Sequence, residues 1–70
     1  MGIKRIGIVA NIEKEQSAEY TIVLRDWLLD RGLKVYLEKH IARKVGAPDG
    51  MDRRHLASEV DLIVVFGGDG

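Results

Sequence analysis

Asp61-Leu62-Ile63-Val64-Val65-Phe66-Gly67-Gly68-Asp69-Gly70 is the stretch that decides the fold. Leu62 to Phe66 are five consecutive large apolar residues, three of them β-branched. Such a run predicts a strand buried on both faces, as in a parallel sheet covered by helices. The strand leads directly into two glycines, an aspartate and a third glycine. Ligands of open α/β sheets bind at the carboxyl ends of strands, and this is the only compact glycine cluster in the chain. Glycine admits positive φ and lets a ligand come close to the backbone. Gly67, Gly68, Asp69 and Gly70 are therefore the first candidate site residues.

The rest of the chain builds the frame around that strand. Ile3 to Ala10 reads as the first strand, with Ile6, Ile8, Val9 and Ala10 apolar and Gly7 marking a close backbone approach. Asn11 follows at its carboxyl end and is a candidate for the same edge as the glycines. Residues 12–16 are a polar connection. Ser17 is the expected N-cap of a helix running to Arg31. Tyr20, Leu24, Trp27 and Leu28 fall at i, i+4, i+7 and i+8, an apolar face, widened by Val23, that packs on the sheet. Gly32 is placed to stop the helix in the left-handed conformation, with Leu33 folding back on Leu28. Lys34 to Glu38 is the second strand. Residues 39–50 hold His40, Arg43, Lys44, Gly46, Pro48 and Gly50 and read as a loop. A short helix from about Met51 to Glu59 follows, started by Asp49 or Asp52, with Leu56 and Val60 facing the sheet.

This is a βαβαβ pattern with right-handed crossovers. Helices on opposite faces put the first strand in the centre, and helices on one face give the order 3-2-1. The near-continuous apolar character of the third strand favours cover on both faces. The expected fold class is α/β: a parallel three-stranded Rossmann-like sheet, order 2-1-3, over residues 1–70.

Composition narrows the function classes. Eleven basic and eleven acidic side chains cancel, so no strong field draws the chain to nucleic acid or a membrane. There are no cysteines, hence no disulfide framework and no thiolate metal site. His40 and His55 have no second ligand at metal-site spacing and read as surface residues. The longest apolar run is far below a bilayer span. A soluble, cytoplasmic protein is expected.

Gly67-Gly68-Asp69-Gly70 after a buried strand resembles the signature of a kinase superfamily that includes NAD kinases, diacylglycerol and sphingosine-type lipid kinases and phosphofructokinases. A strand ending Ile8-Val9-Ala10-Asn11, a helix of some fifteen residues, the strand Val35-Tyr36-Leu37-Glu38 and then Asp61 to Val65 look like the amino-terminal part of a bacterial NAD kinase. The resemblance covers nearly the whole chain but only the first part of such an enzyme. Its threonine after the signature, its asparagine-glutamate motif and its β-rich second domain are not in these residues. The resemblance implies transfer of the γ-phosphoryl of ATP, with Mg²⁺ or another divalent cation, to the 2′-hydroxyl of the adenosine ribose of NAD. It implies Asp69 as catalytic base, and Gly67, Gly68, Asp69, Gly70 and Asn11 around the substrate. No metal ligand is assigned, and a homo-oligomeric parent is implied. Residues 1–70 alone are expected to be inactive.

Two other readings compete. A lipid kinase of the same superfamily normally carries Asn-Pro after its first strand, whereas here Ile12 follows Asn11. A non-enzymatic flavodoxin-like module binding a nucleotide or a partner protein would need none of the missing motifs.

Overall fold

The computed structural model describes residues 2–10 and 15–66. The elements are β1 (Arg5–Ala10), α1 (Glu15–Asp30), β2 (Lys34–Leu37), α2 (Lys39–Val45), α3 (Arg53–Glu59) and β3 (Leu62–Phe66). The three strands are parallel in the order β2-β1-β3, as expected.

The alternation of side chains along β1 sorts the helices. Ile8 and Ala10 face one side and cluster with Leu37, Ile41 and Ala42, with Ala18 and Leu24 packed against them. That side is covered by α1 and α2. Gly7 and Val9 face the other side, where Leu56 of α3 seats on Gly7. A Cβ at Gly7 would lie 3.0 Å from Leu56 Cγ and 3.2 Å from each of its methyl carbons. The close approach predicted at Gly7 is thus made by a fully buried leucine. The β1-to-β2 and β2-to-β3 connections step in opposite directions on opposite faces. Both crossovers therefore have the same hand, which in parallel sheets is the right hand.

Several local expectations change. α1 starts at Glu15, before Ser17, and Ser17 is not its cap but a buried residue of its sheet-facing row. That row is Ser17, Thr21, Leu24 and Leu28, and the Thr21 hydroxyl donates to the Ser17 carbonyl at 2.7 Å. Small hydroxyl residues let the helix lie close to the sheet, which turns Tyr20 and Trp27 to the flank. Both are about half exposed. Tyr20 keeps one ring contact, at 6.2 Å, to Phe66, and the Arg31 guanidinium lies 3.8 Å over the Trp27 ring. α1 ends as predicted, with Gly32 at φ 83° and the Leu33 N–H donating back to Leu28 O at 3.2 Å.

Residues 39–45 are helical, not a loop. α2 is seven residues long and capped at both ends: the Glu38 side chain accepts from the His40 N–H, and Gly46 adopts φ 82°. Burial of Ile41 and Ala42 stabilises a helix too short to stand on propensity. α3 begins at Arg53 with Asp52 as N-cap, its side chain accepting from the His55 N–H at 2.8 Å.

β3 is not buried on both faces. Leu62 is 46%, Ile63 39% and Val65 64% exposed. An apolar run shows what a strand tolerates on its faces, and β3 is an edge strand among the described residues. The outer edge of β2, by contrast, is partly closed. Met51 bridges it in parallel, its N–H donating to Leu37 O at 3.0 Å and its carbonyl accepting from Lys39 N at 2.7 Å.

Candidate functional site

The register of β3 against β1 determines what reaches the carboxyl edge of the sheet. Asp61 sets that register. Its N–H donates to Arg5 O at 2.8 Å, and its Oδ2 accepts from Lys4 N at 2.8 Å and Arg5 N at 3.0 Å. The N–H of Lys4, then that of Arg5, holds the Asp61 carboxyl below the usual carboxylate range. One aspartate thus ties the start of β3 to the start of β1 by three hydrogen bonds. From there the pairs run Ile6–Leu62 through to Ala10–Phe66. Ala10 and Phe66 therefore stand side by side at the carboxyl end.

In a 2-1-3 order the chain leaves β1 toward β2 and comes back past β1 to β3 on its other side. The crevice at the carboxyl ends of β1 and β3 is the topological switch point, the ligand position of doubly wound sheets. Asn11 continues the chain from Ala10 and Gly67 from Phe66. Asn11, Gly67, Gly68, Asp69 and Gly70 themselves lie outside the described residues.

A second arrangement on this edge escaped the reading of the sequence. Glu38, one residue past β2, is only 2% exposed. His40 engages both of its oxygens: the His40 N–H donates to Oε1 at 3.1 Å, and Nδ1 lies 2.6 Å from Oε2. A buried carboxylate needs such partners to be tolerated. His40 is half exposed, as a surface residue would be, but its ring is held. The available signal was an acidic residue directly after a strand, with a hydrogen-bonding residue two places on. His55 is exposed, its Nε2 3.8 Å from Glu59. Arg43, Lys44, Arg53 and Arg54 are exposed on α2 and α3.

Among the described residues no group of three or more histidine, cysteine or acidic side chains could hold a metal ion. A cavity of about 420 Å³ lies along the outer side of β2, lined by Val35, Tyr36, Leu37 and Met51 with Arg25 and Asp49. It is one strand removed from the β1–β3 crevice. No described helix is long and apolar enough to cross a membrane.

An open parallel α/β sheet in the order β2-β1-β3 defines a doubly wound α/β domain. The chain belongs to the ATP-NAD kinase family, whose amino-terminal domain it matches over residues 6–70. A protein of Syntrophotalea carbinolica named NAD kinase is 47% identical over 72 residues, covering 97% of this chain and 24% of the relative. NAD kinases of Caldanaerobacter subterraneus and Geotalea daltonii are 33% and 34% identical, with the same coverage of both chains. The chain thus spans about a quarter of the length of these relatives. No solved structure matches it.

Proposed function

We propose that these residues are the amino-terminal part of an NAD kinase, carrying its catalytic base on the β1–β3 edge. The observation that carries this is the Ala10–Phe66 pair at the switch point, followed in the chain by Gly67-Gly68-Asp69-Gly70. In the proposed reaction the 2′-hydroxyl oxygen of the adenosine ribose of NAD attacks the γ-phosphorus of ATP. The new O–P bond forms as the bond to the β-γ bridging oxygen breaks, and ADP leaves. The hydroxyl proton passes to the Asp69 carboxylate. A carboxylate ionised near pH 4 is ready to accept it at neutral pH. Gly67, Gly68 and Gly70 would leave the backbone open to phosphate or ribose, and Asn11, next in the chain after β1, is the proposed further substrate contact.

Mg²⁺, or another divalent cation, accompanies the ATP phosphates and neutralises charge during transfer. No described residue is assigned to it. On the same resemblance the parent is a cytoplasmic homo-oligomer with no nucleic-acid or membrane partner, and the charge of residues 1–70 is balanced. The deciding assay incubates the intact polypeptide with NAD, ATP and Mg²⁺ and measures NADP. Formation of NADP is expected from the intact polypeptide and none from residues 1–70 alone. Failure of the intact polypeptide to make NADP removes the assignment, and NADP made by residues 1–70 refutes their dependence on the rest.

A further inference from the structure

The buried Glu38 carboxylate is a charged group that the proposed reaction does not use, and its two oxygens have separate tasks. Oε1 accepts from the His40 N–H at 3.1 Å and caps α2. That bond comes from the backbone and needs no particular side chain at position 40. Oε2 lies 2.6 Å from His40 Nδ1, so the ring is held by a contact beyond the cap. A carboxylate only accepts, so Nδ1 carries the hydrogen. The other nitrogen of the neutral ring, Nε2, is then an acceptor. The Glu38 side chain is buried and that of His40 is half exposed, so the open edge of the ring is the one that carries Nε2. Among the described residues Nε2 has no partner.

The ring stands on the edge where the candidate crevice opens. α2 begins directly past the carboxyl end of β2. Ile41 and Ala42, which follow His40, cluster with Ile8 and Ala10, and Phe66 packs against that cluster. The first turn of α2 is thereby fastened beside the Ala10–Phe66 pair, from which Asn11 and Gly67 continue. Neighbouring strands lie about 4.8 Å apart, so the ends of β2 and β3 are separated by about 10 Å across β1.

We propose that His40 Nε2 accepts a hydrogen bond from a ribose hydroxyl of a bound nucleotide, with Glu38 as the residue that positions the ring. This rests on the reading of the chain as part of an NAD kinase, with the adenosine ribose of NAD beside Asp69. From there a pyrophosphate leads to the second ribose of NAD, and a triphosphate leads from the transferred phosphoryl group to the ribose of ATP. Either linker is long enough to cross the two strand spacings to His40. A hydroxyl supplies the hydrogen that an accepting ring nitrogen needs, whereas an ionised phosphate oxygen is itself an acceptor and supplies none.

The test measures kcat/KM of the intact polypeptide with NAD and ATP, and with analogues that lack one ribose hydroxyl. These are 2′-deoxy-ATP, 3′-deoxy-ATP, and NAD deoxygenated at the 2′ or the 3′ position of its nicotinamide ribose. Each measurement is repeated in His40→Asn. Asparagine keeps the backbone cap and an N–H for Glu38 near the place of Nδ1, but has no atom at the place of Nε2. The expected result is that one analogue is used about 3- to 10-fold less well than its parent nucleotide, the scale of one hydrogen bond. His40→Asn should remove that preference. A preference against an ATP analogue assigns the ribose of ATP to His40, and one against an NAD analogue assigns the nicotinamide ribose. A ring that only satisfies Glu38 would leave the preference unmoved by His40→Asn. That result, or an unmodified enzyme with no preference at all, would overturn the proposal. NADP formation from NAD and ATP separates the two readings. NADP made without a preference that depends on His40 sinks the ribose contact alone, whereas no NADP removes the kinase assignment on which it rests.

Discussion

Replacing Gly7 by alanine tests the packing that holds α3 on the sheet. The added Cβ would sit 3.0 to 3.2 Å from three carbons of Leu56, tighter than ordinary contact. Leu56 is fully buried, so its side chain has nowhere to turn and the strand or helix must shift. Overpacking of this kind costs about 1–3 kcal/mol. Removing a glycine from a strand returns about 0.5–1 kcal/mol. The net expectation for Gly7→Ala is a loss of about 1 kcal/mol, or about 4–8 °C in Tm for a domain of this size. Leu56→Ala alone loses about 2–5 kcal/mol through the cavity it leaves. In that background the new methyl group enters vacated space, so Gly7→Ala becomes neutral or stabilising. Urea unfolding followed by circular dichroism on the four variants gives the coupling directly. Additive losses would show that Gly7 and Leu56 do not constrain each other, and would refute the stated reason for glycine at this position.

Two further outcomes follow from the hydrogen bonds. Glu38→Ala removes the cap of α2 and strands the His40 N–H, so unfolding free energy should fall by about 1–2 kcal/mol, while Glu38→Gln, which still offers an oxygen to that N–H, should lose less. Equal losses in urea melts would argue against a capping role. The Asp61 carboxyl is held below its unfolded value, so its contribution is present above the unfolded value and is lost as pH falls through the folded one. The chain should lose stability below about pH 4, and Asp61→Asn should flatten that part of the pH profile. An unchanged slope in Asp61→Asn would show that the Lys4 and Arg5 amides do not set it.

Much of the frame was legible because its signals are local. The apolar runs of β1 and β3, the Gly32 stop of α1 and the close approach at Gly7 each follow from a few adjacent residues. The hand rule left 2-1-3 and 3-2-1 open. The apolar run of β3 favoured 2-1-3 and led to the observed order, although β3 itself is not covered on both faces. α2 was hidden because its seven residues are stabilised by burial of Ile41 and Ala42 and by a glutamate cap, while Gly46 and Pro48 suggested a loop. The burial of β3 was over-read because an apolar run does not reveal whether a neighbour is present. Tyr20 and Trp27 were placed inward because a hydrophobic pattern ranks them above Ser17 and Thr21, the residues small enough to lie against the sheet. At the candidate site, the glycine cluster was visible in the sequence but lies outside the described residues, which show the β1–β3 register only as far as Ala10 and Phe66. The Glu38–His40 contact was not visible, since Glu38 read as the last residue of the second strand rather than as the cap of α2, and a glutamate there is ordinarily solvated.

The central claim is that Asp69 takes the ribose proton at the β1–β3 edge, and turnover of Asp69→Asn in the intact polypeptide tests it most directly. Asparagine keeps the size of the side chain and cannot act as the base. The account predicts a fall in kcat of at least about 100-fold, with the fold retained by circular dichroism. A folded Asp69→Asn enzyme that phosphorylates NAD at a near-normal rate would contradict it.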